Sequence, residues 1–267
     1  MSTIVPYLLP LLTTFVLVLT RLSGLLTTAP IYGTSDLPMR VRAFLAVALA
    51  LLVTPLQLGA RAPAATNLVD LSICLIAEFI IGATLGLGIV FLLGGMQIAG
   101  QIISQLAGIQ LGDVINPTLD SSVPVFSQMF FYVTLAVFVI IGGHRQVMGA
   151  LLETFVALPP GTAAIANPLE TLVELLGQSF VLGVRAAAPT MCAVLLATLV
   201  LGLLSRTLPQ LNLMAVGFGF SSLVTLATLS VSLGLAAWAF QEHVDVALES
   251  LLDALLSGQR HLASGGS

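Results

Sequence analysis

Charge is scarce in this sequence. Of its 267 residues only 7% are Asp, Glu, Lys or Arg, while 58% are hydrophobic; an ordinary soluble domain carries about 25% charged residues. A water-soluble fold has no means of burying so much apolar surface. The composition therefore indicates an integral membrane chain, or a subunit buried in a membrane-embedded assembly. Lysine is missing altogether and all eight basic side chains are arginine. The net charge is -4 and no basic cluster occurs, so nucleic acid is not an expected partner. The two cysteines, Cys74 and Cys192, sit in apolar runs and read as small buried hydrophobes. No cysteine–histidine spacing suggests zinc, and no metal or cofactor is expected. Neither G-x-S-x-G, H-E-x-x-H nor a P-loop is found. The expectation is a non-enzyme whose energy for any transport comes from a partner or an ion gradient.

Against this apolar background one stretch stands out, Gly94 to Pro124, GGMQIAGQIISQLAGIQLGDVINPTLDSSVP. Wound as a helix from Met96 to Gly112, it places Gln97, Gly100, Gln101, Ser104, Gln105, Gly108 and Gly112 on one side. Ile98, Ile102, Ile103, Leu106 and Ile109 fall on the other. One face is thus amide, hydroxyl and bare backbone. It serves either to line a channel or to form a hydrogen-bonded seam with another helix, and spacing alone leaves both open. Asn116-Pro117 ends the helix, because proline disfavours the helical region for the residue before it. Thr118 to Pro124 follows as a short polar loop.

The apolar runs on either side predict five or six helical segments. The first, Ile4 to Thr20, carries Pro6 and Pro10 near its start, where proline is tolerated, and is ended by Arg21. It has no basic side chain in residues 1–5 and no Ala-x-Ala spacing after it, so it is expected to be retained rather than cleaved as a signal peptide. The second, Ala43 to Leu58, is interrupted at Pro55. The third, Leu68 to Gly95, holds Asp70, Glu78 and the glycines 82, 86 and 88; small residues four apart let membrane helices approach closely. The fourth, Val125 to Ile141, stops at Gly142-Gly143, and an amphipathic piece from Gln146 to Leu158 stops at Pro159-Pro160-Gly161. The fifth, Leu169 to Leu204, contains Glu170, Glu174, Arg185 and Pro189. The last, Leu211 to Phe240, precedes a separate short amphipathic helix, Gln241 to Leu256. There Glu242, Asp245, Glu249 and Asp253 form one acidic stripe, either a solvated face or a dock for a basic partner.

Glu78 and Arg185 are buried-charge candidates, since ionisable groups inside apolar segments are functional candidates by default. The alternatives are a structural ion pair, or burial against a partner subunit. Together with the break at Asn116-Pro117 they also allow a transporter of a small molecule or ion with a midplane site, although no internal repeat supports it. A third alternative is a subunit that only scaffolds other membrane helices.

Several blocks in order, LTRLSGLLTTAPIYG near the start, AGQIISQLAGIQLGDVINPTLDSSVPVFSQ, GGH at 142–144, LLETFVALPPG at 151–161 and SRTLPQLNLMAVGFGF at 205–220, resemble the FliR family. Those proteins are core subunits of the flagellar type III export gate, with injectisome relatives. The resemblance covers roughly residues 8–255. It implies an all-α, hydrophobic, membrane-associated fold with broken helical hairpins: a single export-gate domain over 1–257, about 1–167 FliP-like and about 168–257 a FliQ-like hairpin, and a mobile tail at 258–267. It implies partnership with FliP-like and FliQ-like subunits and other export-apparatus proteins in the bacterial inner membrane, at the flagellar basal body. Unfolded exported proteins would cross the central pore. The family closes that pore with aromatic side chains three residues apart before an Asp-Pro pair. Carried over, this places the closure loop at Leu111, Val114, Asn116 and Pro117, with aliphatic residues replacing the aromatics and Asn116 replacing the aspartate. A Gln-Met-Gly often present upstream reads Leu106-Ala107-Gly108. Gln97, Gln101, Ser104 and Gln105 would then line the pore with a polar, uncharged surface.

Overall fold

A computed structural model of the chain describes residues 5–29, 38–57, 67–107, 124–162, 169–207 and 213–264. Among the described residues the fold is all-helical: α1 Val5–Thr28, α2 Met39–Gln57, α3 Leu68–Leu106, α4 Val125–Ile140, α5 Gly143–Ala157, α6 Leu169–Thr207 and α7 Leu213–Ser264. Five of these are long and apolar enough to cross a membrane, or six spans if α4 and α5 count as one broken crossing. The chain is a membrane protein. At 1.5 Å per residue α3 and α6 are each about 58 Å long and α7 about 78 Å, well beyond the roughly 30 Å of a bilayer core.

The helices depart from the sequence reading in three places. α1 runs through Arg21 to Thr28. Arginine is a good helix former, so it breaks an apolar run without breaking a helix. α2 carries Pro55 inside its last turn, where the lost N–H forfeits a single intrahelical bond. α7 continues without a break from Leu213 to Ser264. It joins the two segments expected to be separate and extends helix into the region read as a tail. Between Leu211 and Ser264 there is no proline, and a lone glycine such as Gly258 costs only about 1 kcal/mol in a helix already propagating.

Two compact units divide the chain. The first comprises residues 1–90, 142–175 and 245–267. Its core is built on Leu17, Leu22, Leu25, Leu85, Leu151, Phe155 and Leu251. Here α1 and α3 meet backbone to backbone. A Cβ on Gly82 would strike the Arg21 carbonyl, one on Gly24 the Phe79 carbonyl, and one on Gly86 the Thr28 hydroxyl. Gly88, also in the sequence pattern, faces Leu251 of α7 instead.

The second unit comprises residues 91–141 and 176–244. Met96, Ile103, Phe130, Phe138, Leu182, Ala186 and Phe240 are buried in it, and Phe138 and Phe240 stack edge to face with centroids 6.2 Å apart. The Thr190 and Ser232 hydroxyls share a buried 2.8 Å hydrogen bond between α6 and α7. Such interhelical bonds satisfy groups that lipid would leave unpaired.

Candidate functional site

The most polar buried place in the first unit is formed where α1, α3 and the end of α5 converge. Local sequence dictates the α5 end. Leu158 precedes a proline and is thereby pushed out of the helical region; its φ, ψ of -123°, 82° close the helix. Pro159-Pro160-Gly161-Thr162 then turns: the Thr162 N–H donates to the Pro159 carbonyl at 3.1 Å, and Gly161 has φ +82°. Proline at the second and a positive-φ glycine at the third position is the type II pattern. This geometry leaves two groups unsatisfied within the segment, the Leu158 carbonyl at the helix end and the Gly161 N–H inside the turn.

Arg21 and Glu78 supply both partners. Arg21 Nε donates to Glu78 Oε2 at 2.5 Å, and both side chains are 0% exposed. The rest of the guanidinium serves α5: one terminal nitrogen donates to the Thr154 hydroxyl at 3.2 Å and the other to the Leu158 carbonyl at 3.0 Å. The Phe155 ring lies 4.3 Å beneath Cζ, in cation–π range. Glu78 Oε1 accepts the Gly161 N–H at 2.9 Å. The Cys74 thiol reaches the Gly161 carbonyl at 3.8 Å.

The sequence singles out Glu78 but not Arg21, which it presents as the end of the first run. The signal that finds it is the apolar stretch resuming at Leu22, Leu25 and Leu26, which makes Arg21 an intramembrane charge in need of a partner. Arg185 lies elsewhere, exposed on α6. Cys192 is also exposed on α6 rather than buried.

The polar face of α3, in the second unit, divides. Gly100 and Ser104 are buried; a Cβ on Gly100 would strike the Phe126 carbonyl, and the Ser104 hydroxyl donates to the Gly100 carbonyl at 2.9 Å. Ser127 Oγ donates to the Gln97 carbonyl at 3.0 Å. This half is a helix–helix seam with α4. Gln101 and Gln105 are exposed and Gln97 is half-exposed, one stripe of amides four residues apart. Leu111, Val114, Asn116 and Pro117 lie outside the described residues.

In the first unit, the acidic stripe of α7 borders a groove of about 370 Å³ with α5, rimmed by Gln146, Glu153, Asp245 and Glu249 over Gly149, Ala150, Leu248 and Leu252. Gln146 Nε2 donates to Asp245 Oδ1 at 2.7 Å.

Residues 12–247 match the family described as "Bacterial export proteins, family 1". The chain is 28% identical over 240 residues to the flagellar biosynthetic protein FliR of Escherichia coli (strain K12), covering 90% of this chain and 91% of that protein. It is 30% identical to FliR of Aquifex aeolicus over 84% of this chain and 86% of that one. A secretion system apparatus protein of Salmonella typhimurium, SsaT, is 27% identical over a shorter stretch, 58% of this chain and 61% of that protein.

Proposed function

Since the chain belongs to the bacterial export proteins, family 1, we propose that it is a core subunit of the flagellar type III protein-export gate and helps form and close the pore through which unfolded flagellar proteins cross the inner membrane. The observation that carries this reading is likeness to flagellar biosynthetic proteins along nearly the whole chain. The likeness to the secretion-apparatus protein is confined to little more than half of it, which favours the flagellar over the injectisome assignment. A midplane transport site gains no support, since both Glu78 oxygens already accept hydrogen bonds from this chain's own groups.

In the gate this chain joins FliP-like and FliQ-like subunits at the flagellar basal body. Long exposed rows of aliphatic side chains on α2 (Phe44, Leu51, Leu52) and α6 (Leu195, Leu196, Leu199) suit burial against sister helices or lipid. Residues 1–167 act as the FliP-like part and 168–257 as the FliQ-like part. The Gln97–Gln101–Gln105 stripe offers passing chains hydrogen bonds without charge, and Ser104 backs it from the seam. The loop carrying Leu111, Val114, Asn116 and Pro117 constricts the resting pore.

Affinity purification of the tagged chain in mild detergent, followed by native mass spectrometry, tests the assignment. A fixed-stoichiometry complex with two other small hydrophobic proteins is expected; a lone monomer or homodimer with candidate partners co-expressed refutes it. Replacing Leu111 and Val114 together with glycine should raise ion leak across the membrane while the complex still assembles. Unchanged leak in an assembled, export-competent gate removes those two residues from closure.

A further inference from the structure

We propose that Arg21 and Glu78 form an intramolecular docking site for the end of α5 and the Pro159–Thr162 turn, and that fixing this turn is the reason two charges are kept in the core. A pair that only neutralised itself would favour the bidentate fork that arginine and carboxylate make together. Among the described residues the two share a single close contact, and their remaining side-chain hydrogen bonds go to one segment, residues 154–161.

The matching of signs is the second observation. A helix C-terminus presents orphan carbonyls and partial negative charge, which a cation complements; Arg21 donates to the Leu158 carbonyl there. A type II turn leaves an N–H pointing outward, which an anion complements; Glu78 accepts it from Gly161. The pair therefore presents plus to the helix end and minus to the turn, in the order the segment requires. The surface that carries it is closely packed. The Gly82 crossing holds the Arg21 backbone against α3, one helical turn from Glu78 itself.

This inference does not depend on what the chain exports. The test is amide hydrogen exchange on the full chain in membranes with its partners co-expressed. With two prolines, residues 158–162 carry only three amide hydrogens, on Leu158, Gly161 and Thr162, so the readout is local. The double variant Arg21→Met, Glu78→Leu removes both charges in favour of unbranched and branched apolar side chains that leave no unpaired ion. Expected is at least tenfold faster exchange at 158–162, with α1 and α3 as protected as before. Unchanged protection at 158–162 overturns the proposal, because the turn would then be held without the pair. Loss of protection throughout α1 and α3 also overturns it, because the pair would then be a general prop of the core. Arg21→Lys is the second variant, for use if the double variant does not fold. It keeps a charge opposite Glu78 but cannot reach Thr154 and Leu158 together, so exchange at 158–162 should again accelerate at least threefold; wild-type exchange there overturns the proposal.

Discussion

Arg21→Ala should lower the stability of the isolated chain in detergent by about 3–5 kcal/mol, the range for removing one partner of a buried ion pair. The loss has several parts. Glu78 keeps only the Gly161 N–H opposite a carboxylate that is wholly shielded from water. The Leu158 carbonyl loses its donor and the Phe155 ring its cation. Thr154 loses least, since its hydroxyl still donates to the Leu151 carbonyl at 2.6 Å. Arg185→Ala is the comparison, because that arginine is exposed on α6 and its removal should leave the unfolding temperature unchanged within error. Thermal unfolding of the two variants side by side decides it. Similar transitions for both would mean that the Arg21 network contributes no more than a surface charge.

Arg21 also shows where reading the sequence stops working. The apolar runs and the glycine spacing in α3 are local features, and the described helices follow them closely. The apolar stretch resuming after Arg21 marks it locally as an intramembrane charge, but its partners are Glu78, 57 residues away, and Thr154 and Leu158, which are farther still. No window of a few turns contains that information. The same holds for the polar face of α3. Periodicity places glutamines, glycines and serine on one side, but only the approach of α4 at Gly100 and Ser127 separates the half that packs from the half left exposed. The continuity of α7 was legible in principle, since nothing in its sequence stops a helix. It was obscured because the change from aliphatic to acidic composition near Gln241 marks a change of surroundings, not of backbone.

Gly183→Leu should be strongly destabilising in the second unit. Gly183 of α6 and Gly95 of α3 cross with their backbones in contact. A Cβ on Gly183 would strike the Gly95 carbonyl, and one on Gly95 would strike the Ser179 carbonyl. Overpacking a core usually costs about 1–3 kcal/mol when side chains can give way. Here the obstacle is main chain on both sides, so α3 and α6 must separate and the loss should reach or pass about 3 kcal/mol. Close approach of this kind is what small residues provide in membrane helices, where water supplies no force to press the helices together. Gly177→Leu on the same helix is the control: nothing lies within 4 Å of an added Cβ there, and leucine has the higher helix propensity. Folded yield after size-exclusion chromatography, and the temperature at which each variant aggregates, should fall sharply for Gly183→Leu and hold or rise for Gly177→Leu. Equal behaviour of the two would mean that α3 and α6 do not depend on this crossing.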